Sequence, residues 1–103
     1  MALPSMNITE YVATTFRLAD DDIHMATVLL QDGGSPNGVC FHAQQAAEKF
    51  LKGFIASHGE NIGKVHDLKV LAIRCREIEP ELIKINDDAV YLNRFYTETR
   101  YAE

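Results

Sequence analysis

From Gly38 to Gly59 the chain reads GVCFHAQQAAEKFLKGFIASHG, without proline and rich in good helix formers. Gly59 stands where a helix C-terminus favours a left-handed residue. The stretch predicts a central helix. At 100° per residue, Val39, Cys40, Ala43, Ala46, Ala47, Phe50, Leu51, Phe54 and Ile55 fall within about half a turn, which predicts the core face. The opposite arc collects His42, Gln45, Glu48, Lys49 and Lys52 into one stripe, with Phe41 the apolar exception there. Gln44 falls inside the apolar arc, between Leu51 and Ile55. A buried amide must find hydrogen-bond partners or cost about 1–3 kcal/mol. Gln44 is therefore either a structural amide bonding a neighbouring helix or part of a polar site between helices.

The chain's 103 residues suffice for one domain with a real core. Its 47% hydrophobic and 24% charged residues are ordinary for a globular protein. No apolar run is long enough to span a bilayer, and the start, MALPSMNITEY, lacks a basic segment followed by an apolar one. Neither a membrane span nor a secretory signal is expected. Cys40 and Cys75 both fall on expected core faces, where free thiols act as small hydrophobes, and no paired Cys/His spacing is present. A reduced, cytoplasmic protein without metal or cofactor is the expectation. Charge is uneven: residues 1–33 carry five acids and one base, residues 34–76 three acids and six bases, and residues 77–103 seven acids and three bases. An anionic ligand or RNA therefore suits the second and third helices better than the ends, although this third is far less basic than a dedicated nucleic-acid binder.

Ahead of the central helix, Ile8, Val12, Ala19, Ile23, Ala26 and Leu30 recur at helical spacing, flanked by Tyr11, Phe16 and Leu29. They predict a first helix from about Asn7 to Gln31, capped by Asn7 or Thr9 and ended by Gly33-Gly34. Asp20, Asp21 and Asp22 are adjacent on a helix, point 100° apart and cannot converge on one ion. Asp22, at the edge of the apolar face, is expected as a half-buried acid paired with a base from the second helix. SPNG at 35–38 is a turn signal, with Pro36 or Asn37 near the start of the central helix. Beyond Gly59, Leu68, Leu71, Ala72, Cys75 and Ile78 give a third helix its stripe, with Asp67 in its first turn. His66 is either a capping histidine or a titratable group beside the polar stripe. Pro80 starts a further helix, or two with a joint near Asn86-Asp87-Asp88, through Leu82, Ile85, Ala89, Leu92 and Tyr96. No strand pattern appears. The expected fold is all-α, a single domain over residues 1–103, built as an up-and-down antiparallel bundle of four to five helices.

Four segments in register resemble the HEPN family of small helical domains. They are Asp22-Ile23 with Ala26, FHAQQAAEKFLKGFI at 41–55, His66-Asp67-Leu68, and LNRFYTETRY at 92–101. The resemblance implies a helical bundle that commonly dimerises and often works beside a minimal nucleotidyltransferase in a toxin–antitoxin-like pair. It also implies a test for catalysis. Active members are metal-independent ribonucleases marked by Arg, four to six residues and His near the C-terminal part of the domain, paired across a dimer. There the arginine would stabilise the phosphate while the histidine shuttles the proton of the 2′-hydroxyl. This chain matches the spacing once, at Arg17 and His24, on the outer face of the first helix; no histidine follows Arg94 or Arg100. The family tail Arg-Tyr-Pro reads Arg100-Tyr101-Ala102 here, and similar domains continue into one more helix, which leaves open whether the family's last helix is lacking.

The function expected from all this is a non-catalytic binding module, dimeric, acting with a minimal nucleotidyltransferase partner or binding nucleotide or RNA. Its candidate site joins Gln45, Lys49 and Lys52 with His66 and Asp67 and with Tyr96, Arg100 and Tyr101. The lysines would neutralise phosphate, Arg100 would fork two of its oxygens, and a tyrosine would stack on a base. The same lysine stripe is also what any solvated helix face presents. Two other functions stay open: a ribonuclease toxin using His66 or His42, and a structural domain in which Asp22 and Gln44 only stitch helices together.

Overall fold

The computed structural model describes residues 7–82. Three α-helices run in order, α1 (Ile8–Gln31), α2 (Pro36–Ser57) and α3 (Leu68–Ile78), followed by a 3₁₀ turn at Pro80–Leu82. The fold is all-helical, and among the described residues there is no strand. The bundle of four to five helices expected from sequence is seen as three. The fourth helix expected through Tyr96 falls outside the described residues after Leu82; only its start at Pro80 is described, as a 3₁₀ turn.

Each helix begins on a side chain that accepts an otherwise orphan amide. Asn7 Oδ1 accepts from Glu10 N at 2.8 Å, which selects Asn7 over Thr9 as the cap. Ser35 Oγ accepts from Gly38 N at 3.3 Å, and α2 starts at Pro36, one of the two residues expected near its start and two ahead of the Gly38–Gly59 stretch. Asp67 Oδ1 accepts from Lys69 N at 2.8 Å; Asp67 is thus the cap of α3 and not a residue of its first turn. Glycines with positive φ follow α1 and α2, at Gly33 (69°) and Gly59 (84°).

Contacts between α1 and α2 run in opposite directions along the two sequences. Gly38 lies against Leu29, His42 and Lys49 reach Asp22, and Phe50 and Gly53 meet Phe16. The two helices therefore form an antiparallel hairpin. Its seam on α1 is narrower than the expected apolar face. Thr15, Ala19, Asp22 and Ala26 are buried, whereas Ile8, Ile23 and Leu30 are 56%, 45% and 70% exposed. The small side chains at Ala19 and Ala26, with Gly53 opposite, let the helices approach closely along one strip, and the larger residues are left on its flanks.

On α2 the division into a core arc and a solvent arc also gives way. The side carrying His42, Lys49 and Gly53 packs on α1, and the side carrying Leu51 and Ile55 packs on α3. The main core there is Ile55, Leu68, Leu71, Ala72 and Cys75, with Ala47, Phe54, Ile62 and Val65 against it. With α1 on one side and the loop leading to α3 on the other, the stripe of Glu48, Lys49 and Lys52 lies in a crevice instead of facing solvent. Phe50, placed on the expected core face, is 38% exposed.

Candidate functional site

Gln44 is fully buried, but it bonds no neighbouring helix among the described residues. Its Oε1 accepts from Nε2 of Gln45, the next residue, at 2.8 Å, and its own Nε2 has no partner among the described residues. Asp22, expected as a half-buried acid paired with a base of the second helix, is paired across the hairpin and more deeply buried than that. It is 7% exposed and takes two groups of α2, with Oδ1 3.0 Å from His42 Nδ1 and Oδ2 bonded by Lys49 Nζ. His42 and Lys49 are two helical turns apart on α2, so both reach back to the same carboxylate.

About a third of a turn round α2, Glu48 anchors a second cluster. It is 8% exposed, and its Oε2 lies 3.0 Å from Nδ1 of His66 and 3.4 Å from Nζ of Lys52. Lys52 follows Glu48 at the favourable i,i+4 spacing, while His66 comes from the loop just before α3. Glu48 Oε1 is buried with no partner among the described residues. In each cluster a buried carboxylate holds one lysine and one histidine.

These groups edge a cavity of about 560 Å³ between the first half of α1, the second half of α2 and the α2–α3 loop. Glu48, Lys49, Lys52 and His66, with Glu60 and Asn61 of the loop, make its polar wall; Tyr11, Leu18 and Ile62 supply apolar surface. At the loop side, Arg74 donates to Glu60 from Nε at 2.6 Å and also from its second terminal nitrogen. That hydrogen bonding holds the Glu60 carboxyl below its ordinary range and the guanidinium above its own. The pair ties the loop to α3. The Cys75 thiol, buried in the core, is pushed up to about 11 by desolvation.

Of the residues predicted for the site, Lys49, Lys52 and His66 come together at this cavity. Gln45 is turned to Gln44, and the side chain of Asp67 is committed to capping α3. Tyr96, Arg100 and Tyr101 lie outside the described residues. Sequence reasoning missed Glu48, Tyr11 and Leu18 as cavity residues and His42 as a partner of Asp22. The acid set between His42 and Lys52 on one stripe was the available signal for Glu48. Arg17 and His24 are both exposed on α1, on the face opposite Asp22.

Chemically, the cavity offers ammonium donors already aimed by carboxylates. Each lysine carries three N–H bonds and spends part of that capacity on Asp22 or Glu48, leaving the rest for an anion. Glu48 holds Nδ1 of His66, Nε2 has no partner among the described residues, and 57% of the side chain is exposed. Among the described residues no group of His, Cys, Asp and Glu is arranged to hold a metal ion, and no helix is long and apolar enough to cross a membrane. A family model, that of the HEPN domain, matches residues 12–103. No curated protein and no solved structure matches the chain.

Proposed function

The chain belongs to the HEPN domain family, and from that membership we propose that it is a non-catalytic binding module whose cavity receives the phosphate of a nucleotide or of RNA. The observation that carries this reading is the convergence of Lys49, Lys52 and His66, from α2 and from the loop before α3, on one cavity with an apolar wall. A concave site of this size with a few convergent polar groups is what small-ligand recognition uses. The lysines meet phosphate oxygens, and Tyr11 with Leu18 and Ile62 gives a base an apolar surface to lie on.

A binding role is favoured over ribonuclease action because the chain's one Arg–His pair of suitable spacing, Arg17 with His24, sits on the outer face of α1, away from Asp22 and the cavity. In this proposal the module acts as a homodimer, or beside a minimal nucleotidyltransferase as similar domains do. The apolar side chains of Ile23 and Leu30, exposed together on a flank of α1 that does not line the cavity, support a partner chain there. Isothermal titration with nucleoside phosphates and a short single-stranded RNA, at low and moderate salt, tests the reading. Salt-sensitive binding weakened about tenfold by Lys52→Ala is the expected result. No binding by any of these ligands would overturn it.

A further inference from the structure

With His66 neutral, the polar wall of the cavity carries no net charge, because Lys49 is matched by Asp22, Lys52 by Glu48 and Glu60 by Arg74. An anion gains little from such a wall until one more positive charge is added to it. His66 is the group placed to add it. Its Nδ1 lies 3.0 Å from Glu48 Oε2, and a carboxylate only accepts, so the proton of the neutral ring sits on Nδ1. Nε2 is then a bare lone pair, without a partner among the described residues, in a side chain that lines the cavity and is more than half exposed. A lone pair repels a phosphate oxygen, whereas an N–H binds it. The other charged or titratable groups around His66 are Glu48, Lys49 and Lys52 of α2, Tyr11 of α1, and Glu60, Lys64 and Asp67 of the loop. Glu60 is held below its ordinary range by Arg74, and Asp67 caps α3. Among these side-chain types, histidine is the one that exchanges its proton between about pH 5 and 8.

Resting on the phosphate-binding reading above, we infer that His66 takes up a proton on Nε2 when the anion binds, so that phosphate capture at this cavity is proton-coupled and strengthens as the pH falls. The proton comes from solvent and bonds to Nε2. It leaves an imidazolium whose Nδ1–H donates to Glu48 and whose Nε2–H donates to the phosphate. Glu48 is a positioning residue in this step, since it turns the ring and sets its tautomer without touching the ligand. The bound phosphate is a second anion beside the ring and favours its charged form. The complex thus holds the proton more tightly than the free chain does. Affinity is full where the free chain already carries the proton, and it falls by up to about tenfold per pH unit as the pH rises above that point. His42 makes the like contact with Asp22, but it does not line the cavity, and its proton is not called on.

Isothermal titration of the wild-type chain in two buffers of different ionisation enthalpy, at one pH and ionic strength, counts the protons exchanged on binding. One probe is a short oligouridylate, whose phosphodiesters have no proton to lose in this range. The other is uridine 5′-monophosphate at about pH 7.5, well above the second ionisation of its phosphate at about 6. Uptake approaching one proton is expected, with affinity for the probe falling by up to about tenfold per pH unit on the alkaline side. Uptake with the monophosphate alone identifies a free nucleotide as ligand; uptake with the oligomer identifies phosphate within a strand. His66→Gln offers an N–H that needs no proton, so it should bind without proton exchange, whereas His42→Gln should keep the uptake. The wild-type count needs no variant and stands even where His66→Gln fails to fold. Binding that depends on Lys52 but exchanges no proton anywhere from about pH 6 to 8 would overturn the coupling and leave the phosphate-binding reading intact. Uptake that survives in a folded His66→Gln chain would overturn the assignment to His66. Binding of neither probe would overturn both readings.

Discussion

Glu48 and His66, eighteen residues apart, meet with Oε2 and Nδ1 separated by 3.0 Å. That contact brings the loop before α3 back onto the middle of α2. It is what converts a stripe of alternating charge on one helix into the wall of a cavity. Asp22 does the corresponding work across the hairpin, and the two acids together fix where the lysines of α2 stand.

Replacing Asp22 by asparagine removes the charge that holds both His42 and Lys49. Breaking a buried pair costs about 3–5 kcal/mol, but Lys49 keeps 31% of its side chain in water and is partly screened. A loss of about 1–3 kcal/mol in urea unfolding is expected for Asp22→Asn. Most of it should be absent when Asp22→Asn is made in a Lys49→Met background, because the coupling between the two is then gone.

Gln44 is expected to behave in the opposite way. Its buried Nε2 has no partner among the described residues, and its Oε1 serves only Gln45, which is half-exposed and has water as a substitute. Gln44→Leu removes an unsatisfied polar group from the interior. It should leave stability unchanged or raise it by up to about 1 kcal/mol in the same unfolding experiment. A large loss would mean that the amide has a partner outside residues 7–82.

Gly53→Ala would normally gain about 1 kcal/mol inside a helix. Here the new Cβ would stand 2.5 Å from Cε1 and 2.9 Å from Cδ1 of Phe16, the edge of a ring and not a flexible tip. Overpacking is expected to win, with a net loss of about 1 kcal/mol or more and a lowered melting temperature. Adding Phe16→Leu should recover part of that loss.

Cys75 is expected to be inert. Its thiol is fully buried, donates to the Leu51 carbonyl at 3.6 Å, and is pushed up to about 11 from the ordinary 9.0. In a Cys40→Ser background, native protein at pH 8 should react with a disulfide reagent only as fast as it unfolds. The sign for stability follows from the folded state holding the proton more tightly. The thiol's contribution is complete below pH 9 and is lost as pH rises from 9 towards 11, so alkaline unfolding should be delayed in Cys75→Ala.

Helix positions were legible because their signals are local. Asn7, Ser35 and Asp67 sit at starts, Gly33 and Gly59 at ends, and the apolar periodicity fills the span between. Which face of a helix is buried is not local. The wheel of α2 assumes one packing direction, whereas α1 and α3 occupy two. Glu48 and Lys52 consequently line a crevice, and Phe50 stands at the surface. On α1 the seam falls on the strip of small residues Ala19 and Ala26, which puts Thr15 and Asp22 in it instead of Ile23 and Leu30. Lys49, Lys52 and His66 could be grouped in advance because two share a stripe and the third precedes the next helix. Tyr11 and Leu18 could not, since their place beside the lysines depends on the register of α1 against α2.

The most direct test is isothermal titration of nucleoside phosphates and short RNA against the wild-type chain and a Lys52→Gln, His66→Gln double variant that leaves Asp22 and its partners untouched. Salt-dependent binding to the wild type, weakened tenfold or more in the double variant while its circular dichroism still shows a folded helical chain, is the predicted result. Binding of equal strength in both proteins, or none in either, would contradict a phosphate site at this cavity.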